Sequence, residues 1–264
     1  MLKLNRDNYH SLEASRDYMS RGQYIDFTKK CEAAAVASLR GEWIEEQSTA
    51  LLVGSYVHSW SEGKQADFIA EHPGMFKKGG GLKVEYVQAD DMIQTLSNDP
   101  LAMYTLEGQK EVIVTAEMFG TMWKVMLDAY NPEHRRIADL KTTRSITDHH
   151  WNEEFRTKVS FVEHYDYVTQ AAIYCEVERI ASGRPPEDWL NFYLVAVSKQ
   201  DYPDKAVIDM SGPERYIVEL GEIEKNMPRV LAVKNGEVEP RRCEVCSYCR
   251  STKKLTGAIH YSLL

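Results

Sequence analysis

The run from Glu111 to Lys141 constrains this chain more than any other part of it. Glu111–Met118 (EVIVTAEM) and Met122–Tyr130 (MWKVMLDAY) are strand-like stretches parted by a Phe119-Gly120-Thr121 turn. Arg136–Lys141 (RIADLK) follows an Asn131-Pro132-Glu133-His134 turn. Three sequential strands on short turns predict an antiparallel meander. Asp139 and Lys141 are two apart on the third strand and so share a face, and Asp128, at the end of its neighbour, can reach that face. Two carboxylates there can hold one or two hard divalent ions. An adjacent ammonium can orient or activate water and offset charge on a phosphorane-like transition state. Such a site breaks phosphodiesters. Asp-x-Lys alone is common, and its ordinary reading is a solvated strand face. Here Asp139 sits between the apolar Ala138 and Leu140, and a Thr142-Thr143-Arg144 exit follows.

The remainder reads as helices around a short sheet. Ser20 and Gln23 make a capping box for a helix carrying Tyr24, Phe27, Cys31 and Ala34/Ala35 to Leu39, with Gly41 as its stop. Further helices are predicted over Ser48–Trp60, Ala89–Leu96, Thr147–Val159, Val162–Ala181 and Pro213–Val233. The Asn98-Asp99-Pro100 turn closes the second of these. Trp189–Val197 (WLNFYLVAV) has the continuity of a buried strand, with Lys205–Met210 as its partner. The resulting class is α/β: a short central mixed sheet flanked by helices, with helical additions. One domain over 1–264 is expected, its core about 18–235 and a cysteine-bearing basic tail over 236–264. The opening residues carry scattered charges and there is no long apolar run, so neither a signal peptide nor a membrane span is expected, and the compartment is read as cytoplasmic.

Two more polar groupings stand out. Gly54 lies one helical turn before His58, where a glycine would let the helix press against a sheet edge and bring the imidazole to a metal. Gln170 and Tyr174 are an i, i+4 polar pair on an otherwise apolar helix, read as contacting a substrate phosphate or the lysine. Each has an ordinary alternative: a core-satisfied histidine, and a hydrogen bond at a helix edge.

Taken in order, Gly-x-x-x-His, Gly-x-x-x-x-x-x-x-Asp, Asp-x-Lys-Thr-Thr and Gln-x-x-x-Tyr resemble the RecB-type branch of PD-(D/E)XK nucleases, and within it the RecE-like exonucleases of phages and prophages. The similarity extends to Ser20-Arg-Gly-Gln-Tyr-Ile-Asp-Phe27, Leu39-Arg-Gly-Glu-Trp43 and Leu52-Val-Gly-Ser-Tyr-Val-His58. The resemblance implies the PD-(D/E)XK core, Mg²⁺ or Mn²⁺, and digestion of linear duplex DNA from 5′ ends. The 3′ strand would pass to a single-strand annealing protein, and a homo-oligomeric ring around DNA is implied by related exonucleases. It also implies His58, Asp128, Asp139 and the Leu140 carbonyl as metal ligands, and Lys141 as the catalytic lysine. Gln170 and Tyr174 would support the phosphate. A further carboxylate is expected on the preceding strand, Glu111 rather than Glu117. A structure- or single-strand-specific nuclease and a non-catalytic DNA-binding scaffold are the competing functions.

Cys31 with Cys243, Cys246 and Cys249 has the distribution of cysteines that hold an iron–sulfur cluster in some RecB-type relatives, though with a shorter last spacing. Four thiolates satisfy a [4Fe–4S] cluster or a tetrahedral zinc. A zinc-ribbon-like DNA-binding module is the reading of another class. Cys31 also falls on an apolar stripe, where a thiol needs no ligand role. The net charge of −8 argues against coating nucleic acid electrostatically, but not against a local basic channel. Arg144, Arg241, Arg242, Lys253 and Lys254 are the first candidates for such a channel, with Arg250, Lys77, Lys78, Arg135 and Arg136 as further phosphate contacts.

Overall fold

The structure, a computed structural model, describes the chain apart from residues 46–47, 154–155, 256, 259, 261 and 263–264. The N-terminal part is helical: α1 (Leu12–Asp17), α2 (Arg21–Ile25), α3 (Glu32–Arg40), α4 (Thr49–Ser61), α5 (Gln65–Glu71), α6 (Val84–Ser97) and α7 (Pro100–Thr105). Strands β1 (Gln109–Met118), β2 (Thr121–Asn131) and β3 (Arg136–Thr143) follow. A small hairpin, β4 (His149–Asn152) and β5 (Thr157–Ser160), leads to α8 (Phe161–His164) and α9 (Tyr167–Ala181). Then come β6 (Asn191–Ser198), β7 (Lys205–Asp209), α10 (Pro213–Lys234) and α11 (Ser247–Ser251).

The expected meander is present. Met118 pairs with Thr121 across a two-residue turn, Phe119 and Gly120, both with positive φ. That backbone twist suits a tight hairpin. β3 then pairs in parallel with β6 from Arg136↔Asn191 to Thr143↔Ser198, and β7 closes the far edge antiparallel to β6. The sheet order is β1-β2-β3-β6-β7.

Each face of this sheet is covered. Val125, Leu127, Ile137, Phe192 and Leu194 pack with Ala171, Ile173 and Val177 of α9 and with Tyr216, Ile223 and Met227 of α10. Ala138, Leu140, Val195 and Val197 pack with Val53, Tyr56 and Val57 of α4 and with Met92 and Leu96 of α6. Burial of these apolar faces is the main force holding the layers together. The C-terminal half of α9 is also pinned electrostatically. Glu178, 1% exposed, accepts from Tyr130 Oη at 2.7 Å and from Arg184 Nη1 at 3.0 Å. Those bonds, Arg184 foremost, outweigh burial and hold its carboxyl below the usual range.

One detail of the ladder creates the site. β2 and β3 pair only over Ala129↔Ala138, Tyr130↔Ile137 and Asn131↔Arg136, and beyond that the strands diverge. The backbone groups so released must be satisfied otherwise. On β2, Met19 steps in as a parallel bridge, accepting from Lys124 N and donating to Met122 O, both at 2.8 Å. On β3, Leu140 N donates to the Asp128 carboxylate at 2.9 Å.

Several expected elements are corrected. The predicted helix Thr147–Val159 is instead the β4–β5 hairpin; residues 154–155 of it lie outside the described residues. Trp151, Thr157 and Val159 are strand-formers, and Val159 buries its side chain there. The helix expected from Ser20 to Leu39 breaks. A π-helical turn over Asp26–Lys30 ends at Cys31, which is extended (φ −143°, ψ 113°). Cys31 therefore sits at a break and not on a continuous stripe. The Asn98-Asp99-Pro100 turn also opens α7: Asp99 accepts from Leu101 N and Ala102 N, and Pro100 takes the first helical position. The tail, expected to be irregular, carries the short α11.

Candidate active site

The fork between β2 and β3 opens into a cavity of about 1440 Å³ lined by His58, Glu62, Glu111, Asp128, Lys141, Gln170 and Arg144, among others. Asp139 and Lys141 point to the α9 side, as their two-residue spacing requires, and Lys141 Nζ lies 2.7 Å from Asp139 Oδ2. Asp139 is 2% exposed. Its Oδ1 accepts from Gln170 Nε2 at 2.6 Å, while among the described residues no donor is aligned on Oδ2 as a hydrogen bond. Burial raises the Asp139 pKa more than the lysine lowers it. Burial also draws Lys141 down, but Asp139 and Asp128 outweigh it and hold the ammonium above its ordinary range. The Tyr167 ring lies 5.2 Å from that ammonium.

Asp128 completes the group from β2. Its Oδ2, bonded to Leu140 N, is 3.3 Å from His58 Nδ1. The helix bearing His58 comes close: a Cβ added at Gly54 would stand 3.4 Å from Thr142 Oγ1, in ordinary contact rather than a clash. The glycine therefore eases the approach without being demanded by it. Leu140 enters the site through its backbone.

Glu111 occupies the register position opposite Asp128, between the pairs Lys110↔Ala129 and Val112↔Leu127, and interrupts the pairing there with φ 50°. It faces the cavity, whereas Glu117 is exposed near the hairpin turn. Glu62, not anticipated from the sequence, joins it. Lys64 Nζ lies 3.2 Å from Glu111 and 3.5 Å from Glu62. Burial and then the Glu111 charge push the Glu62 carboxyl up. Its signal was available: Glu62 is one helical turn past His58. Arg21, Tyr167 and Lys199 also line the cavity without having been singled out.

Gln170, expected to touch a phosphate or the lysine, gives its amide to Asp139, the partner of that lysine. Tyr174 lines a second cavity of about 440 Å³ with Lys141, Gln170, Lys124 and Tyr9, and burial holds its hydroxyl pKa well above the tyrosine range. Of the basic candidates, Arg144 is exposed on the main cavity. Arg136 is removed from the set, being 5% exposed, donating to Tyr104 O at 2.6 Å and stacked on the Tyr104 ring. Arg135 is spent on Asp188 and the Trp189 carbonyl. Among the described residues no tail cation lines the cavity. Arg242 donates to Glu244, Cys249 O and Thr252, while Arg241, Lys253 and Lys254 are exposed.

The four cysteines named from the sequence do converge. The sulfurs of Cys31, Cys243, Cys246 and Cys249 all lie within 4.8 Å of one another. The backbone N–H groups of Val245 and Cys246 draw the Cys243 thiol down to about 6. The Cys249 N–H favours the Cys246 thiolate, but burial and the neighbouring sulfurs outweigh it and push that thiol up to about 12.

A family model described as a PDDEXK-like domain of unknown function (DUF3799) matches residues 20–252. The chain belongs to that family. Its mixed five-stranded sheet flanked by helices is the PDDEXK-like nuclease fold. The solved structure of a Eubacterium rectale protein, named for an inferred exonuclease activity, is 39% identical over 98% of this chain and 97% of its own, at a TM-score of 0.92. A second solved structure, SSO0001, is 16% identical over 81% of this chain and 89% of its own, at a TM-score of 0.28, too slight a likeness to bear on the fold. No curated protein matches the chain. Among the described residues, no helix is long and apolar enough to cross a membrane.

Proposed function

We propose that this protein is a divalent-metal-dependent deoxyribonuclease that digests linear duplex DNA from its 5′ ends. The observation that carries this reading is the meeting of His58, Asp128, Lys141 and Glu111 on one cavity, with the buried Asp139 paired to Lys141 just beneath its wall. The donor set is oxygen-rich with one imidazole, which suits Mg²⁺ or Mn²⁺. The buried Asp139 Oδ2, which has the Lys141 ammonium beside it but no aligned hydrogen bond, fits a ligand atom. His58, Asp128, Asp139 and the Leu140 carbonyl would hold the ion, with Glu111 as a further carboxylate. When bound, the ion supplies Lewis acidity toward the phosphate and lowers the pKa of an attacking water.

The chain's own groups do the rest. Lys141 places an ammonium at the cavity wall, where it can orient the water and offset charge on the phosphate oxygens. Gln170 holds Asp139 by its Oδ1, so that Oδ2, now paired with Lys141, is the oxygen that would turn to the ion. Tyr167, beneath the lysine, limits where that ammonium can move. Arg144, on the cavity, meets the neighbouring phosphates. The likeness to the Eubacterium rectale protein supports action at DNA ends. The 3′ strand left behind would pass to a single-strand annealing partner, and several copies would encircle the duplex.

End-labelled linear duplex, nicked circle, closed circle and single strand, each with Mg²⁺, test this. Linear duplex should be shortened from its 5′ ends while closed circles persist. Closed circles cut as fast as linear DNA would remove the exonuclease reading and leave a nuclease. Cleavage unchanged in Asp139→Ala would remove the site itself.

A further inference from the structure

The four-cysteine cluster lies outside the nuclease cavity and owes nothing to the function proposed for it. We infer that Cys31, Cys243, Cys246 and Cys249 bind one tetrahedral zinc ion, and not an iron–sulfur cubane, and that this ion fastens the C-terminal tail to the start of α3. The distances decide between the two. A tetrahedral zinc with Zn–S bonds of about 2.3 Å requires its sulfurs about 3.8 Å apart. Cys31 and Cys249 Sγ are 3.5 Å apart and Cys243 and Cys249 Sγ 3.9 Å apart, with every pair inside 4.8 Å. In a cubane each thiolate binds a different iron, and the iron and sulfide atoms of the core stand between the four ligands. Four sulfurs this close leave room for a single ion.

The surrounding backbone agrees. Cys246 N donates to Cys243 Sγ at 3.3 Å and Cys249 N to Cys246 Sγ at 3.4 Å. The Cys-x-x-Cys-x-x-Cys loop thus turns its N–H groups onto its own sulfurs, an arrangement that stabilises thiolates. Cys31 reaches the group because the π-helical turn ends there and α3 begins one residue later. Two of the ligands are buried, Cys31 at 5% and Cys249 at 0%. The site is closed, as structural zinc sites are.

The site also supplies something the packing lacks. The buried members of the cluster joining tail to α3 are Cys31, Ala33 and Cys249, with Ala34, Cys243, Cys246 and Tyr248 at its edge. Apart from Tyr248 it offers alanines and sulfur, too little apolar surface to hold a tail. Ala33 N to Arg241 O at 3.1 Å and Arg241 N to Glu32 at 2.7 Å are the backbone ties beside it. Cys31 and Cys249 are 218 residues apart, so an ion joining them links segments far apart in sequence.

Purified full-length protein, analysed for zinc, iron and acid-labile sulfide, provides the test. One zinc per chain, no labile sulfide and no visible absorbance are expected. Cys31→Ser and Cys249→Ser should lose the zinc and expose the chain beyond Lys234 to protease, while Cys175→Ser keeps it. If the serine variants fail to fold, Cys243→His serves in their place, because an imidazole can replace one thiolate on zinc and should retain one ion per chain. Iron with comparable labile sulfide in the wild-type protein would overturn the inference. So would metal-free protein whose four thiols react freely in the native state.

Discussion

The fork at β2–β3 and the cluster at the start of α3 are both proposed as metal sites, and they are built from opposite materials. The first presents carboxylates, an imidazole and an ammonium along the wall of an open cavity. The second brings four sulfurs within 4.8 Å of one another, two buried and two half-buried, with backbone N–H groups turned onto them. Hard oxygen donors around an open space leave positions for water and substrate, whereas soft donors that fill a tetrahedron leave none. The difference is one of purpose. Reaction requires an incomplete shell, and fastening requires a complete one.

Chelation separates the two most sharply. Brief EDTA treatment should abolish cleavage completely, and added Mg²⁺ should restore it, while the zinc and the protease resistance of the tail persist. Loss of both together would mean that the sites are not independent. Asp139→Ala should follow with roughly a thousandfold loss of Mg²⁺-dependent cleavage. Lys141→Ala should lose a similar factor and also stability, because it leaves the buried Asp139 carboxylate alone, at a cost of about 3 kcal/mol. The sign with pH follows. Without Lys141, burial raises the folded pKa of Asp139 above its unfolded value. The variant's penalty should thus be smallest near or below about pH 4, where the carboxyl is protonated in both states. It should grow as pH rises through the raised folded value. Melting curves of both proteins in EDTA at pH 4 and pH 7 check this; a gap that narrows at pH 7 would contradict the buried-pair account.

How far these sites could be read beforehand depended on what held their residues. Asp139 and Lys141 followed from strand periodicity, and the meander around them from apolar alternation and turn residues. His58 and Gln170 followed from helical spacing, although the partner of Gln170 did not. Which acceptor an amide finds depends on how a helix is rotated over the sheet, and local spacing does not contain that. The divergence of β2 from β3, on which the whole site turns, is not legible in the local pattern, since the partner that takes over the backbone of β2 there, Met19, lies more than a hundred residues upstream. The helix expected over 147–159 shows the converse: its residues suit strands, and the structure makes them the β4–β5 hairpin. Arg136 was misread because a charged residue at a strand end gives no sign that carbonyls from α7 and its exit will enclose it.

Positioning should yield a smaller and more specific loss than ligation. Gln170→Ala removes the bond to Asp139 Oδ1 and leaves every proposed ligand atom in place. A 10- to 100-fold weakening, roughly, is expected, as for other groups that orient a ligand from behind. It should show chiefly as a higher Mg²⁺ requirement, with the maximal rate recovering as the ion saturates. A loss in maximal rate that Mg²⁺ cannot recover would place Gln170 on the substrate instead. Metal titrations of cleavage rate separate the two, and the sulfur site, with no such dependence, should keep its zinc.

The smallest effect tests whether the tail, besides being fastened, also grips DNA. Arg144 is exposed on the nuclease cavity, whereas Arg242 already donates to Cys249 O at 2.8 Å and to Thr252 at 3.0 Å. A guanidinium engaged with its own chain must give up those bonds before it can neutralise a phosphate, which removes most of the gain. Arg144→Ala, assayed on catalytically dead protein, should weaken duplex binding severalfold and reduce the slope of log affinity against log salt by about one. Arg242→Ala should leave that slope unchanged and instead loosen the tail to protease. If both variants lower the slope equally, the basic tail lies along the path of the DNA. The zinc would then hold part of the DNA-binding surface in place as well as the end of the chain.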